Sequence, residues 1–79
     1  MKSEIYEKLN GIFEEVFGIP GIRVTETTTA ADVPGWDSLM HIALISEVEE
    51  AFGVHFTMNQ ILSFQNVGEL AEAVLVAKA

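Results

Sequence analysis

Apolar residues recur at helical spacing in separate stretches of this chain, with polar residues filling the intervals. Ile5, Leu9, Ile12, Phe13 and Val16 stand three or four apart, with Glu4, Glu7, Lys8, Glu14 and Glu15 between them. That pattern predicts an amphipathic helix from about Ser3 to Phe17. Gly18 followed by Pro20 stops it, because glycine accepts a left-handed turn and proline cannot donate the next helical bond. A second pattern runs from about Ser38 to Phe52 and ends at Gly53. At about 100° per residue, His41, Leu44, Ile45, Val48 and Phe52 share one arc. Leu39, Ala43, Ser46, Glu47 and Glu50 fall on the other side. "TMNQ" (Thr57 to Gln60) reads as a capping box opening a short helix that carries Ile61 and Leu62. "NVGE" (Asn66 to Glu69) repeats the signal with asparagine as the cap. The helix after it turns Val67, Leu70, Ala71, Val74 and Leu75 inward.

Between the first two helices lies "GIPGIRVTETTTAADVPGW", Gly18 to Trp36, rich in glycine, proline and threonine. That is a loop by chemistry, and long for a compact domain. Ile19, Ile22, Val24, Val33 and Trp36 are placed to pin it to a core. No stretch alternates with period two over a useful length, and Val54-His55-Phe56 reads as a connector. The predicted fold class is all-α: an antiparallel bundle of three longer helices plus one short helix, with a long loop between helices 1 and 2. Residues 1–79 are expected to form one domain.

Charge narrows the partners. Twelve acidic residues face four basic ones, for a net charge of −8. From Val24 to Ala77 there is no lysine or arginine. Nucleic acid and anionic membrane surfaces are therefore poor partners, and basic protein surfaces are good ones. The longest apolar run, Ala73 to Ala77, is too short to span a bilayer. With no cysteine, the chain has no disulfide and no thiolate metal site. It lacks a basic stretch followed by an apolar one at its start, so no signal peptide is expected. These features together predict a cytoplasmic monomer, and the short ends and initial methionine predict a free-standing one.

"GWDSLMHI" (Gly35 to Ile42) carries the candidate chemistry. Asp37 makes a good N-cap, since its carboxylate can accept an orphan amide of the first turn. Ser38 is then the first helical residue, where amides and the helix dipole favour an anion. As a nucleophile Ser38 lacks support. It needs a base and an acid that orients the base, and Asp37 cannot orient His41 while capping the helix. There is no second glycine for a G-x-S-x-G elbow. His41 falls on the apolar arc and reads as a core or pocket-edge histidine; His55, beside a connector, reads as exposed. Neither histidines nor aspartates show ligand spacing, so no metal site and no catalytic residue are assigned. Glu47, Glu49 and Glu50 read as a solvated helix face.

The stretch "DVPGWDSLMHIALISEVEEAFGVHFTMNQILSFQNVGELAEAV" resembles the acyl carrier proteins. The resemblance covers roughly residues 3 to 77 and is densest from Asp32 to Phe56. The D-S-L triplet, the "EVEEAFGV" end of the second helix and the long first loop carry it together. In that family the serine of D-S-L bears 4′-phosphopantetheine, donated by coenzyme A and attached by a phosphopantetheinyl transferase. Ser38 matches that serine, with Asp37 and Leu39 as its flanks. The resemblance implies a carrier rather than an enzyme: acyl groups ride as thioesters on the arm and are presented to acyl-transferring and acyl-modifying enzymes with basic docking patches. It also implies an acyl shelter inside the bundle, for which Leu44, Ile45, Val48, Phe52, Ile61, Leu62 and Phe64 are the candidate walls.

The chain departs from that family in one place. Carriers of general fatty acid synthesis resemble one another in placing acids just after D-S-L, whereas here the comparable positions are Met40 and Ala43. The partner surface is therefore expected to combine Leu39, Met40 and Ala43 with the later acids Glu47 and Glu50. This favours a dedicated polyketide, specialised-lipid or amino-acyl pathway, with general fatty acid synthesis as the alternative. Peptidyl carriers usually place two glycines directly before the acid or histidine and the serine, and "GWDSL" has one, displaced by tryptophan. From another class, the rival is an acidic helical interaction module that is never modified.

Overall fold

Four α-helices form where the periodicity and the capping signals place them: α1 Lys2–Phe17, α2 Ser38–Phe52, α3 Met58–Ser63 and α4 Val67–Lys78. This computed structural model describes residues 2–78, the side chain of Lys2 excepted, and no strand occurs among them. A single 3₁₀ turn, Ala30–Asp32, interrupts the long loop and is the one element without a counterpart in the sequence pattern. No helix among the described residues is long and apolar enough to cross a membrane.

α1 packs along both α2 and α4. Leu9 and Phe13 of α1, Leu44, Ile45 and Val48 of α2, and Leu70 and Val74 of α4 are fully buried in one cluster. Each apolar residue expected to face inward on α1, α2 and α4 is buried or packed against that cluster. α3 differs, since Ile61 is buried but its neighbour Leu62 is 65% exposed. Successive helical residues diverge by about 100°, so Leu62 turns away from the face that Ile61 buries.

The helix ends follow local chemistry. Thr57 Oγ1 accepts from the Gln60 amide at 3.2 Å, and Gln60 Oε1 accepts from the Thr57 amide at 2.9 Å. This is the expected capping box of α3. Asn66 Oδ1 accepts from the Glu69 amide at 2.8 Å, while Glu69 reaches back to the amide of Gln65, one residue before the cap. Gly53 ends α2 in the left-handed region at φ 67°. Glu49 corrects the sequence reading: it is half-buried, not part of a solvated face, and its Oε2 accepts from the Phe56 amide at 2.8 Å. It thereby closes the connector from α2 to α3.

The long loop is tied down by polar groups as well as by Val24 and Val33, which are buried. Asn10 of α1 accepts from the Val24 amide at 2.7 Å, and Glu14 from the Gly21 amide at 2.8 Å. In return the loop caps α4. The amides of Val67 and Gly68 donate to the carbonyls of Thr28 and Glu26 at 2.8 and 3.0 Å. Two of the orphan donors at the start of α4 are satisfied by backbone some forty residues away.

This contact requires glycine at position 68. A Cβ there would lie 2.6 Å from the Glu26 carbonyl oxygen and 2.8 Å from the Glu26 Cβ. In an open helix, alanine in place of glycine stabilises by about 1 kcal/mol. Here Gly68→Ala should instead destabilise by about 1–3 kcal/mol, because backbone must shift. Thermal unfolding by circular dichroism checks this: the melting temperature should fall by several degrees, and a rise means the loop does not press on α4.

Candidate functional site

The start of α2 is built by Asp37, whose extended backbone (φ −120°, ψ −174°) turns the chain into the helix. Asp37 Oδ1 accepts from the Met40 amide at 2.9 Å, and its carbonyl accepts from the His41 amide at 2.8 Å. The negative carboxylate sits at the positive end of the helix, which stabilises both. Ser38, the first residue of α2, is exposed. Beside it opens a cleft of about 350 Å³, walled by Ala30, Trp36, Asp37, His41, Leu62, Phe64 and Gln65. Loop, helix start and α3 thus converge on one hydroxyl.

His41 forms the floor of this arrangement. Trp36 Nε1–H donates to His41 Nδ1 at 3.1 Å, and His41 Nε2 lies 2.7 Å from the Ile61 carbonyl oxygen. A carbonyl only accepts, so Nε2 carries the proton. Nδ1 is then the bare nitrogen that an indole N–H requires. Both ring nitrogens are engaged, and neither is available as a base for Ser38. The imidazole lies edge to edge with the indole and nearly coplanar with it, centroids 5.9 Å apart and planes 21° apart. The indole presents itself edge-on to Phe13, centroids 5.2 Å apart at 76°. An aromatic column therefore runs from the core of α1 to the cleft wall. His41 is half-buried at the pocket edge, as its arc implies, and His55 is exposed.

The structure sorts the other expected site residues into distinct places. Leu39 is 79% exposed and Ala43, Glu47 and Glu50 are exposed. Met40 is half-buried and does not stand out with Leu39. Instead it lines a groove between α1 and α2 with Ile12, Glu15, Val16, Ala43 and Glu47. Successive helical residues diverge by about 100°, which separates Met40 from Leu39. The exposed apolar neighbour of Leu39 is Ile42, at 39%, three residues on and on the same face. Ile42 lies off the apolar arc of α2, so the helical pattern already held that signal.

The seven shelter candidates also divide. Leu44, Ile45 and Val48 have no exposure, and Phe52 and Ile61 are 8% exposed, so these five form closed core. Leu62 and Phe64 line the cleft, with Phe64 edge-on to Phe56 at a centroid distance of 5.6 Å. Among the described residues, no group of three or more His, Cys, Asp or Glu side chains is placed to hold a metal ion.

Comparison with known proteins points the same way as this geometry. Residues 7–74 match the family described as "Phosphopantetheine attachment site". An acyl carrier protein of Saccharopolyspora erythraea is 30% identical over 74 residues, spanning 94% of this chain and 78% of that protein. A non-reducing polyketide synthase of Penicillium brasilianum is 28% identical over 71 residues, which is 90% of this chain and 3% of the synthase. The solution structure of a holo acyl carrier protein from Geobacter metallireducens superposes with a TM-score of 0.86 at 34% identity, covering 94% of this chain and 85% of that one.

The hydrogen bonds around His41 fix its tautomer, and that is directly measurable. Nitrogen-15 spectra of the ring at pH 8 should show a bare Nδ1 and a protonated Nε2, with the Nε2 proton slow to exchange with water. A predominantly Nδ1-protonated ring means that the bond to Ile61 does not form in solution.

Proposed function

This chain belongs to the phosphopantetheine-attachment family of acyl carrier proteins, and on that premise we propose that Ser38 bears its arm and that it serves a dedicated pathway rather than general fatty acid synthesis. It is a carrier with covalently held 4′-phosphopantetheine and not an enzyme. It acts with a phosphopantetheinyl transferase and with acyl-handling enzymes.

The observation that carries the assignment is the exposed Ser38 hydroxyl on the first turn of α2, opening on the cleft. The residues there fit the group. The hydroxyl is accessible, the helix start favours a phosphodiester's negative charge, and the cleft offers both apolar and amide walls. The other serines lack this setting. Ser63 Oγ donates to the Gln60 carbonyl, Ser46 lies in the middle of α2, and Ser3 stands in the first turn of α1 away from D-S-L. When bound, the group supplies a thiol on a flexible arm that holds acyl cargo as a thioester. Asp37 keeps the helix start formed and so fixes where the hydroxyl stands. With both His41 nitrogens engaged, the base for attachment has to come from the transferase.

The dedicated pathway rests on the surface beside Ser38. Leu39, Ile42 and Ala43 offer apolar contact there, and the acids of α2's exposed face begin at Glu47, roughly 13 Å along the helix at 1.5 Å per residue. Glu15 of α1 joins Glu47 on the same groove as Met40. A fitting partner sets an apolar pocket over Leu39 and Ile42 and a basic patch toward Glu47 and Glu50. Rim charges mainly set association rate, while apolar anchors set lifetime. A monomer in a reducing cytoplasm suits this cysteine-free, acidic chain.

Incubation with coenzyme A and a broad-specificity transferase should add one phosphopantetheinyl mass to the wild type and none to a folded Ser38→Ala. Modification of that variant at Ser3, Ser46 or Ser63 refutes the assignment. Fatty acid synthesis enzymes should use the loaded carrier at least tenfold less well than their own, and Ala43→Glu should narrow that gap. Equal use of the wild type makes this a general carrier with an unusual surface.

A further inference from the structure

α3 is the lightly held element of the bundle. α1 packs along both α2 and α4, whereas α3 contributes one buried residue, Ile61. The same residue supplies the carbonyl that accepts from His41 Nε2 at 2.7 Å. Ile61 stands in the last turn of α3, where carbonyls have no partner within the helix. Side-chain anchor and hydrogen-bond anchor thus coincide on one residue, and the second depends on the orientation of one imidazole. Trp36 sets that orientation by donating to Nδ1, and Trp36 is itself packed against Phe13 and Phe17.

On α2, Leu44, Ile45 and Val48 follow His41 within two turns and are fully buried. On α3, Leu62 and Phe64, one and three residues past Ile61, line the cleft beside Ser38 together with His41. Movement of α3 away from α2 at this point pulls the Ile61 carbonyl from His41.

We propose that His41 is a latch on α3 and a specificity-determining residue for cargo. While bonded to Ile61 it keeps an acyl group in the outer cleft, and it must release before an acyl chain enters the core between α2 and α3. This rests on the reading of Ser38 as the attachment point. Burial of each methylene favours entry about fourfold, and the latch opposes entry by about two- to tenfold, the strength of one hydrogen bond. Removing the latch therefore shortens the shortest sheltered chain by one or two carbons.

Two measurements test this, and the first needs no arm. Hydrogen exchange on the protein before modification should be about two- to tenfold faster at the α3 amides in His41→Phe, with α1 and α4 unchanged. Trp36→Phe, which leaves His41 and Ile61 in place but frees the ring, should act in the same direction and serves if His41→Phe does not fold. Unchanged α3 exchange, or equal acceleration in all helices, overturns the latch. In the second, the holo protein is loaded with saturated acyl groups of four to ten carbons, and the methyl resonances of Ile45 and Val48 are followed. The shortest chain that moves them should be one or two carbons shorter in the variant. An identical threshold overturns the proposal, while absence of any phosphopantetheinyl mass gain at Ser38 tells instead against the attachment reading.

Discussion

The indole N–H of Trp36 reaches His41 Nδ1 at 3.1 Å, and most of the site's geometry descends from that bond. Trp36 ends the long loop, His41 lies in the first turns of α2, and the carbonyl on the other side of the imidazole belongs to α3. Three segments with little local reason to meet are thereby brought to one place. A half-buried imidazole with an unmet nitrogen is costly, so each partner stabilises the placement of the other. Ser38 stands within this frame but takes no part in it. That separation suits the proposed role of Ser38 as a hydroxyl reached by another protein's active site.

The loop between α1 and α2 obeys a related constraint. Long irregular segments must satisfy their backbone groups without the help of a repeating structure. Here Asn10 and Glu14 on α1 receive loop amides, and loop carbonyls receive the first amides of α4. The loop therefore functions as a packed layer across one end of the bundle, sealed by Val24 and Val33. Ala30, in its 3₁₀ turn, and Trp36 then contribute walls to the cleft beside Ser38.

How much of this could be read from the residues depends on how far apart the interacting groups lie. Helix starts were legible because Asp37, Thr57 and Asn66 bond to amides three residues on. The core arc of α2 was legible because helical geometry alone sorts Leu44, Ile45 and Val48 from Leu39 and Glu47. Asn10, Glu14 and the pressure of Glu26 on Gly68 were not, since their partners lie seven to some forty residues away with no pattern linking them. Glu49 misled for the same reason, because an acid among acids on a helix reads as solvated until the amide of Phe56 folds back onto it. Position along the chain did not show that Met40 turns into a groove with Ala43 and Glu47 while Leu39 faces outward. Around the candidate site, the place of Ser38 at a helix start and its Asp37 cap were plain, whereas the pairing of Trp36 with His41 and the distant carbonyl of Ile61 were not, because no sequence pattern links them.

Trp36 is the chain's single tryptophan, and it stands at the cleft wall in contact with the one ring that ties α2 to α3. The ultraviolet emission of this protein therefore comes with its own address. It samples the polarity and quenching at the mouth of the site, with no second indole in the core to blur it. Cargo held at this cleft, or a partner docked beside it, as proposed, would change the emission of that one chromophore, so the carrier's work could be followed in solution without a label.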